Sequence, residues 1–596
     1  MTAATVSAQQ SWWGLWNSSQ GLTARSPLYD GSHDLYVRLT AQNSPLLVGG
    51  RIHGVRFYLS DKTAVRSCRV WLSSAYGSAP LAQCQVPLAD LRDLSHDGQA
   101  TEVSFADAVD VLPAQNRYAS VYVGFTLQLD AQPACHLMGS AGKGAANSNF
   151  YNGQDISATY GALALQVLAT GPAIAERAVT AQAVGEQVAL GGGEATLPLT
   201  ATSQGAEPVE SVGYVVTIDG ESQPERSYTL PQAADEMGCP FSVPVSYSVP
   251  AAAVPHALSV ALTRVNGTPL SAAATAPAAT LIALSRPTTK RTVMEEFTGS
   301  WCHNCVRGIA GINLIAQQQG DRFIAIAVHS QDPMEVAAYR GSTFYSDCMK
   351  VLGGLPSCSI DRWIDCDPYC GRNTTGAFLT DDLVAEALQR TAVADLTVST
   401  SWTDAAESSL RCDVATDFAY SVADGHYALM LVLTADGLTG TGTDWQQRNG
   451  YNDYTGTEEA LMAYAGKGIY LTDITFDHVA VDVAGVDGGL AGSISAPIVA
   501  DQPQHYIHTF DVGSNALVQD RQRLSVVALL IDTRDGSVVN AAKTAVGSAV
   551  GIAPVATAAT VSQQPAAYDL QGRRVAKPSR PGVYIVSGKK QRLKDL

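Results

Sequence analysis

The sequence predicts a multidomain protein that is mostly β-sandwich and is interrupted once by an α/β unit. Three observations carry this. The chain has 596 residues, and at roughly 150 residues per domain that length implies about four domains. Its composition is 46% apolar and only 16% charged, so each domain can bury a core while long helical charge patterns are scarce. Period-two alternation recurs from about residue 21 to 286 and again from 396 to 548, and only the stretch between them turns helical.

Taken in order, residues 1–168 predict an N-terminal sandwich of jelly-roll type. Runs such as 51–59 and 118–125 alternate apolar and polar residues between turn signals. Trp12, Trp13 and Trp16 at its start either stack on sugar rings or anchor a terminal strand, and burial of a large ring favours the anchor. Cys68 and Cys84 flank a hairpin turn at residues 76–80 and are candidates for a bridge between its strands. Residues 169–287 continue with shorter strands, at 212–218 and 258–262, and predict an immunoglobulin-like sandwich.

Residues 288–395 differ. A strand at 291–297 breaks into a turn, then Trp301-Cys302-His303-Asn304-Cys305 precedes a run with apolar residues at Val306, Ile309, Ala310, Ile312, Leu314 and Ile315, which predicts a helix over 306–319. A buried strand at 323–328, a helical segment at 333–340, a Gly353-Gly354-Leu355-Pro356 loop, a strand at 358–361 and an acidic-started helix at 381–388 follow. Residues 396–548 return to alternation, as at 427–433 and 524–531, with a solvated polar loop at 437–456. Residues 549–566 read as a linker and 567–596 as a small β unit.

The chemistry concentrates at C-x-x-C. A cysteine at a helix N-terminus meets free backbone N–H groups and the positive end of the helix dipole, both of which favour the thiolate. Cys302 is the candidate nucleophile and Cys305, one turn on, the resolving thiol. A protonated His303 beside Cys302 would further stabilise the thiolate, and a buried Glu296 would have a raised pKa suited to shuttling the Cys305 proton. Cys348, Cys358, Cys366 and Cys370 crowd the same unit. Cys358 is either a third redox thiol or half of a structural staple with Cys366 or Cys370, and the short separations favour the staple. Zinc has the ligand count, but the strand-turn-helix context argues against it, so no metal or cofactor is expected.

A net charge of −17 argues against nucleic acid as a partner. Residues 568–596 carry eight Lys or Arg against two Asp, a net +6, leaving −23 on the remainder; an acidic body with a basic tail implies a separate task for the tail. No apolar run reaches the ~20 residues that span a bilayer. Residues 1–5 lack a signal peptide, while eleven scattered cysteines suit an oxidising compartment, which implies a leader removed before this numbering begins.

Glu296 six positions before Cys302, Trp301 directly before it, and Leu355-Pro356 together resemble the active site of thioredoxin-fold proteins. That resemblance implies that Pro356 is a cis-proline facing the sulfurs and shaping a groove for an extended substrate backbone. More narrowly, residues 295–305, Ala327-Val328-His329-Ser330, Leu355-Pro356-Ser357 and Ile360-Asp361-Arg362 resemble the twenty-eight-kilodalton outer-membrane-protein family of Bacteroidetes. Tyr568-Asp569-Leu570-Gln571-Gly572-Arg573-Arg574-Val575 and Gly582-Val583-Tyr584-Ile585-Val586 are similar to the C-terminal sorting domains of type IX secretion cargo. These resemblances imply a secreted or outer-membrane surface protein, handled by that secretion machinery through residues 567–596. Two functions remain open at this point. One is a thiol–disulfide oxidoreductase acting on protein thiols or disulfides. The other is a surface adhesin for a host or polysaccharide ligand, with the thioredoxin-like unit as scaffold.

Overall fold

The computed structural model describes residues 10–111, 120–130, 135–140, 144, 146–373 and 376–547, together with short strands beyond residue 566. They divide into two compact units, Met1–Val546 and Gly547–Leu596. The molecule is multidomain and mostly β-sheet, as composition and alternation predict. The expected linker at 549–566 lies outside the described residues, as do residues 1–5.

The N-terminal module packs a four-stranded sheet and a six-stranded sheet around one apolar core. Trp12 and Trp13 sit in the strand Ser11–Trp13, paired antiparallel with Leu168 and Val167. Trp13 and Trp16 are buried, and the Arg56 guanidinium lies 4.7 Å over the Trp12 ring, so these indoles anchor the terminal strand. The expected Cys68–Cys84 bridge is not made, and both residues are thiols. Register explains it: Cys68 faces Val86 and Cys84 faces Val70. Diagonal neighbours stand about 7 Å apart, too far for a disulfide.

The second module packs a three-stranded sheet against a larger one centred on strands Val209–Ile218 and Pro255–Val265. Arg534 then ties it to the third region by ion pairs to Glu186 and Asp532.

The third region holds the cysteines. We name its strands β1 (Thr292–Thr298), β2 (Phe323–His329), β3 (Ser357–Ile360), β4 (Ile364–Cys366), β5 (Ala394–Trp402), β6 (Ser409–Phe418), β7 (Tyr427–Ala435), β8 (Val479–Ala484), β9 (Gln504–Asp511), β10 (Leu524–Asp532) and β11 (Val538–Ala545). Its helices of ten residues or more are α1 (Val306–Gln319), α2 (Thr343–Leu352) and α3 (Leu379–Gln389). Eight strands form one sheet in the order β4-β3-β1-β2-β8-β7-β10-β11, and β5-β6-β9 form a second. β1 and β2 are parallel, with α1 as their crossover, while β3 and β4 form an antiparallel hairpin beside β1. Every residue of β1 and β2 is buried, as expected of central parallel strands covered on both faces.

β2 also pairs in parallel with β8 at Ala327 and Val479. The strands before and after residue 395 therefore share one sheet. Helix α2 was not expected, because Thr, Tyr, Ser, Asp and Cys are weak helix formers. It forms because Ser342 caps its start through the Tyr345 N–H and Gly353, at φ +72°, ends it. The segment expected to be helical at 333–340 shrinks to the turn Ala337–Arg340.

In the C-terminal unit four short strands form a sheet, with Gly582–Val586 paired to both Ala567–Tyr568 and Lys589–Leu593. Among the described residues no helix is long and apolar enough to cross a membrane.

Candidate functional site

Strand alternation sends the adjacent carboxylates Glu295 and Glu296 to opposite faces of the sheet. Glu295 meets Arg362, whose Nε and Nη2 each lie 2.8 Å from a carboxylate oxygen, and Tyr339 also donates to it. Arg362 further donates to Val486 O at 2.6 Å and stacks 3.8 Å over Phe344, so this buried pair is structural. Glu296 faces α1 instead, 1% exposed and with Oε1 unpartnered. A Cβ on Gly308 of α1 would collide with that oxygen and come 3.3 Å from Pro356 Cβ. Only glycine there lets the helix, the carboxyl and the proline loop close on one another.

Cys305 occupies the N-cap of α1, fully buried. Cys302 lies one turn earlier, its N–H bonded to Gly299 O at 3.0 Å. Its Sγ is 3.5 Å from Leu355 O, beside the cis Leu355–Pro356 peptide. Cys302 is 5% exposed, so it presents only an edge to solvent. The hydrogen bond from Cys305 holds the Cys302 thiol down at about 7, helped by the N–H groups of Asn304 and Cys305 and by the Arg307 charge, against burial. Burial pushes Cys305 well up, as does its bond to Cys302. Burial likewise lifts Glu296 to about 8, with the nearby Cys302 charge adding to the rise and a hydrogen bond from Thr298 opposing it. The pair is thus asymmetric, one sulfur ionising near neutrality and the other held as a thiol over a protonated carboxyl.

The His303 side chain is exposed, and Arg307, the second residue of α1, is a cation that lowers the Cys302 pKa. Trp301 is 47% exposed and donates from Nε1 to Ser330 O at 2.7 Å. Its ring edges a surface groove of about 490 Å³ that includes Arg340, Tyr345, Met349, Lys350 and Leu355.

The polar loop expected to be solvated instead clasps the cysteine turn. Gln447, buried, donates to Cys302 O at 2.8 Å; Arg448 N donates to Ser300 O at 2.7 Å; Gly450 N donates to His303 O at 2.7 Å. Ser300 Oγ donates to Asp444 O at 2.6 Å, and its N–H donates to Asp332, which also holds His329 at 2.6 Å. His329 and Gln447 line a cavity of about 50 Å³ shared with Glu296 and Thr298, room for a water or two. Gln447, Asp332, Arg307 and Gly308 escape sequence reasoning. Gln447 lies 145 residues from Cys302, and nothing in its local pattern marks it.

Cys358 stands directly opposite Glu296 across β1 and β3, and opposite Cys366 across β3 and β4. Its Sγ is 3.5 Å from that of Cys366, and the nearby Cys370 thiol donates to Asp367 O at 3.2 Å. All eleven cysteines are thiols. Among the described residues the only cluster of three donors close enough for a metal is Asp61, Asp93 and His96 in the N-terminal module, where Lys62 N and His96 already bond Asp93.

No family model matches the chain, and no curated protein matches it. Among solved structures it is similar to HBP35 of Porphyromonas gingivalis, with 16% identity and a TM-score of 0.31 over 51% of this chain and 98% of that one. It is also similar to protein AGR_C_4864 from Agrobacterium tumefaciens, with 12% identity and a TM-score of 0.26 over 44% of this chain and 97% of that one. A domain of the outer membrane lipoprotein Omp28 from Porphyromonas gingivalis follows, with 11% identity and a TM-score of 0.14 over 26% of this chain and 88% of that one. Scores this low carry no argument about fold or function.

Proposed function

We propose that the chain is an exported cell-surface protein whose thioredoxin-like unit exchanges disulfides with protein thiols through Cys302 and Cys305. The observation that carries this reading is the asymmetry of the pair: Cys302 set against Leu355 O and ionising near neutrality, Cys305 buried above the protonated Glu296. The order β4-β3-β1-β2 with α1 as crossover supports the thioredoxin-like assignment. The basic tail and its small sheet support a sorting role for residues 567–596 with the type IX machinery.

In the reaction the Cys302 thiolate attacks one sulfur of a substrate disulfide, and the other substrate sulfur leaves as a thiolate. The Cys302 charge is then gone, which lowers the proton affinity of Glu296. Glu296 gives its proton up to solvent through the adjoining cavity, its carboxylate then takes the Cys305 proton, and the Cys305 thiolate attacks Cys302 Sγ. The second substrate thiolate departs, leaving the Cys302–Cys305 disulfide. Two electrons have passed from the protein dithiol to the substrate.

A second reading, surface ligand binding with this unit as scaffold, is favoured by the 5% exposure of Cys302 and the clasp formed by Gln447, Arg448 and Gly450. Insulin reduction by dithiothreitol separates the two, using the full chain because one sheet crosses residue 395. The wild type should exceed Cys302→Ser by at least about tenfold. Equal rates would reject exchange and leave the binding reading.

A further inference from the structure

We infer a second thiol–disulfide centre, apart from Cys302 and Cys305, in which exposed Cys370 takes an oxidising equivalent from a soluble disulfide and Cys366 passes it inward to Cys358. Three observations carry it. The first is contact. Cys358 and Cys366 are cross-strand partners with their sulfurs 3.5 Å apart, and Cys370, in the loop directly after Cys366, is near enough that each of these two thiols alters the other's proton affinity. Cys366 therefore stands between two partners. The second is a gradient of access, since Cys358 is fully buried, Cys366 partly so, and Cys370 exposed. A reagent in solution has its best approach at Cys370 and none at Cys358.

The third is that Cys370 is held in place. Its N–H donates to Thr380 Oγ1 at 2.9 Å and its thiol to Asp367 O at 3.2 Å. The same loop is tied by Tyr369 N to Asp367 at 2.8 Å, by the Arg307–Asp367 ion pair, and by Pro368 O, which packs so closely on Gly311 that a Cβ there would collide with it. A preorganised thiol of this kind loses little entropy in reaching Cys366.

The exchange balances. The Cys370 thiolate attacks the soluble disulfide, and one of its halves leaves as a thiolate. Cys366 attacks the Cys370 sulfur of the mixed disulfide and releases the second half. Cys358 attacks the Cys366 sulfur and expels Cys370 as a thiolate. Cys358 and Cys366 lose two electrons and two protons, the reagent becomes two thiols, and Cys370 is regenerated. The product staples β3 to β4 directly beside Glu296.

The test uses the full chain carrying Cys302→Ser and Cys305→Ser, so that the other pair contributes nothing. The reduced protein meets glutathione disulfide at mildly alkaline pH, aliquots are quenched with acid and N-ethylmaleimide, and the disulfides are mapped by mass spectrometry. Cys366–Cys370 should appear first and Cys358–Cys366 accumulate from it. Adding Cys370→Ser should slow Cys358–Cys366 formation by about tenfold or more, with Cys370→Ala giving the same result and both keeping the parent's circular dichroism. Undiminished Cys358–Cys366 formation without Cys370 would overturn the proposal. So would glutathione persisting on Cys370 with no internal disulfide following.

Discussion

Replacing Glu296 by Gln tests the buried acid most directly. The carboxyl is held protonated by burial, its pKa raised from 4.5 to about 8. A group whose pKa is higher in the folded than in the unfolded state contributes stability that is fully present below the unfolded value and is lost as pH rises through the folded one. For Glu296 that window runs from about pH 4.5 to about 8, and at 1.36 kcal/mol per unit the loss has a ceiling of about 5 kcal/mol. In the reduced chain Cys302 works the other way: its pKa is depressed to about 7, so its contribution is lost as pH falls through that value. The measurement therefore belongs on the Cys302–Cys305 disulfide form, where neither thiol titrates. There the Cys302 charge no longer raises Glu296, and the adjoining cavity admits water, so about 2 to 4 kcal/mol is expected. Urea unfolding read by hydrogen exchange of β1 peptides isolates this region from the other modules. Wild type should weaken between pH 5 and 9 while Glu296→Gln stays level. Parallel pH profiles within about 0.5 kcal/mol would refute the buried-acid argument.

Iodoacetamide should alkylate Cys302 of the reduced chain with a rate that is half-maximal near pH 7, while Cys305 stays unmodified; a Cys302 midpoint near the ordinary thiol value would show that Cys305 and the backbone N–H groups do not hold its thiolate. Arg362→Ala should cost about 3–5 kcal/mol, because it leaves the buried Glu295 carboxylate without its partner. Adding Glu295→Gln should recover part of that loss in urea unfolding, and a single-variant cost below about 1 kcal/mol would contradict the pairing.

Local patterns were the legible part. The apolar positions of α1 placed that helix at 306–319, and its observed bounds are Val306–Gln319. The apolar run at 323–328 in β2 announced a strand buried on both faces. Short separations marked Cys358 as a neighbour of Cys366 or Cys370, and the three-residue turn between β3 and β4 decided that Cys366 is the one opposite it. For Cys68 and Cys84 the same reasoning failed, since a register offset of two residues cannot be read from a turn of uncertain bounds. The polar loop looked solvated because its composition is that of any surface loop. Its Gln447 is buried only because β8 brings the later strands onto the sheet beside β2.

The sequence by itself determined the succession of β modules, the one α/β interruption, and a thiol at the start of a helix, because periodicity, turn residues and C-x-x-C act over a few neighbouring residues. Only the tertiary structure decided that Glu296 Oε1 is left without a hydrogen-bond partner while Glu295 pairs with Arg362, and that residues 444–450 close over the cysteine turn. Those outcomes depend on which face of a strand meets which helix and on contacts between residues more than a hundred positions apart, and no local pattern encodes either.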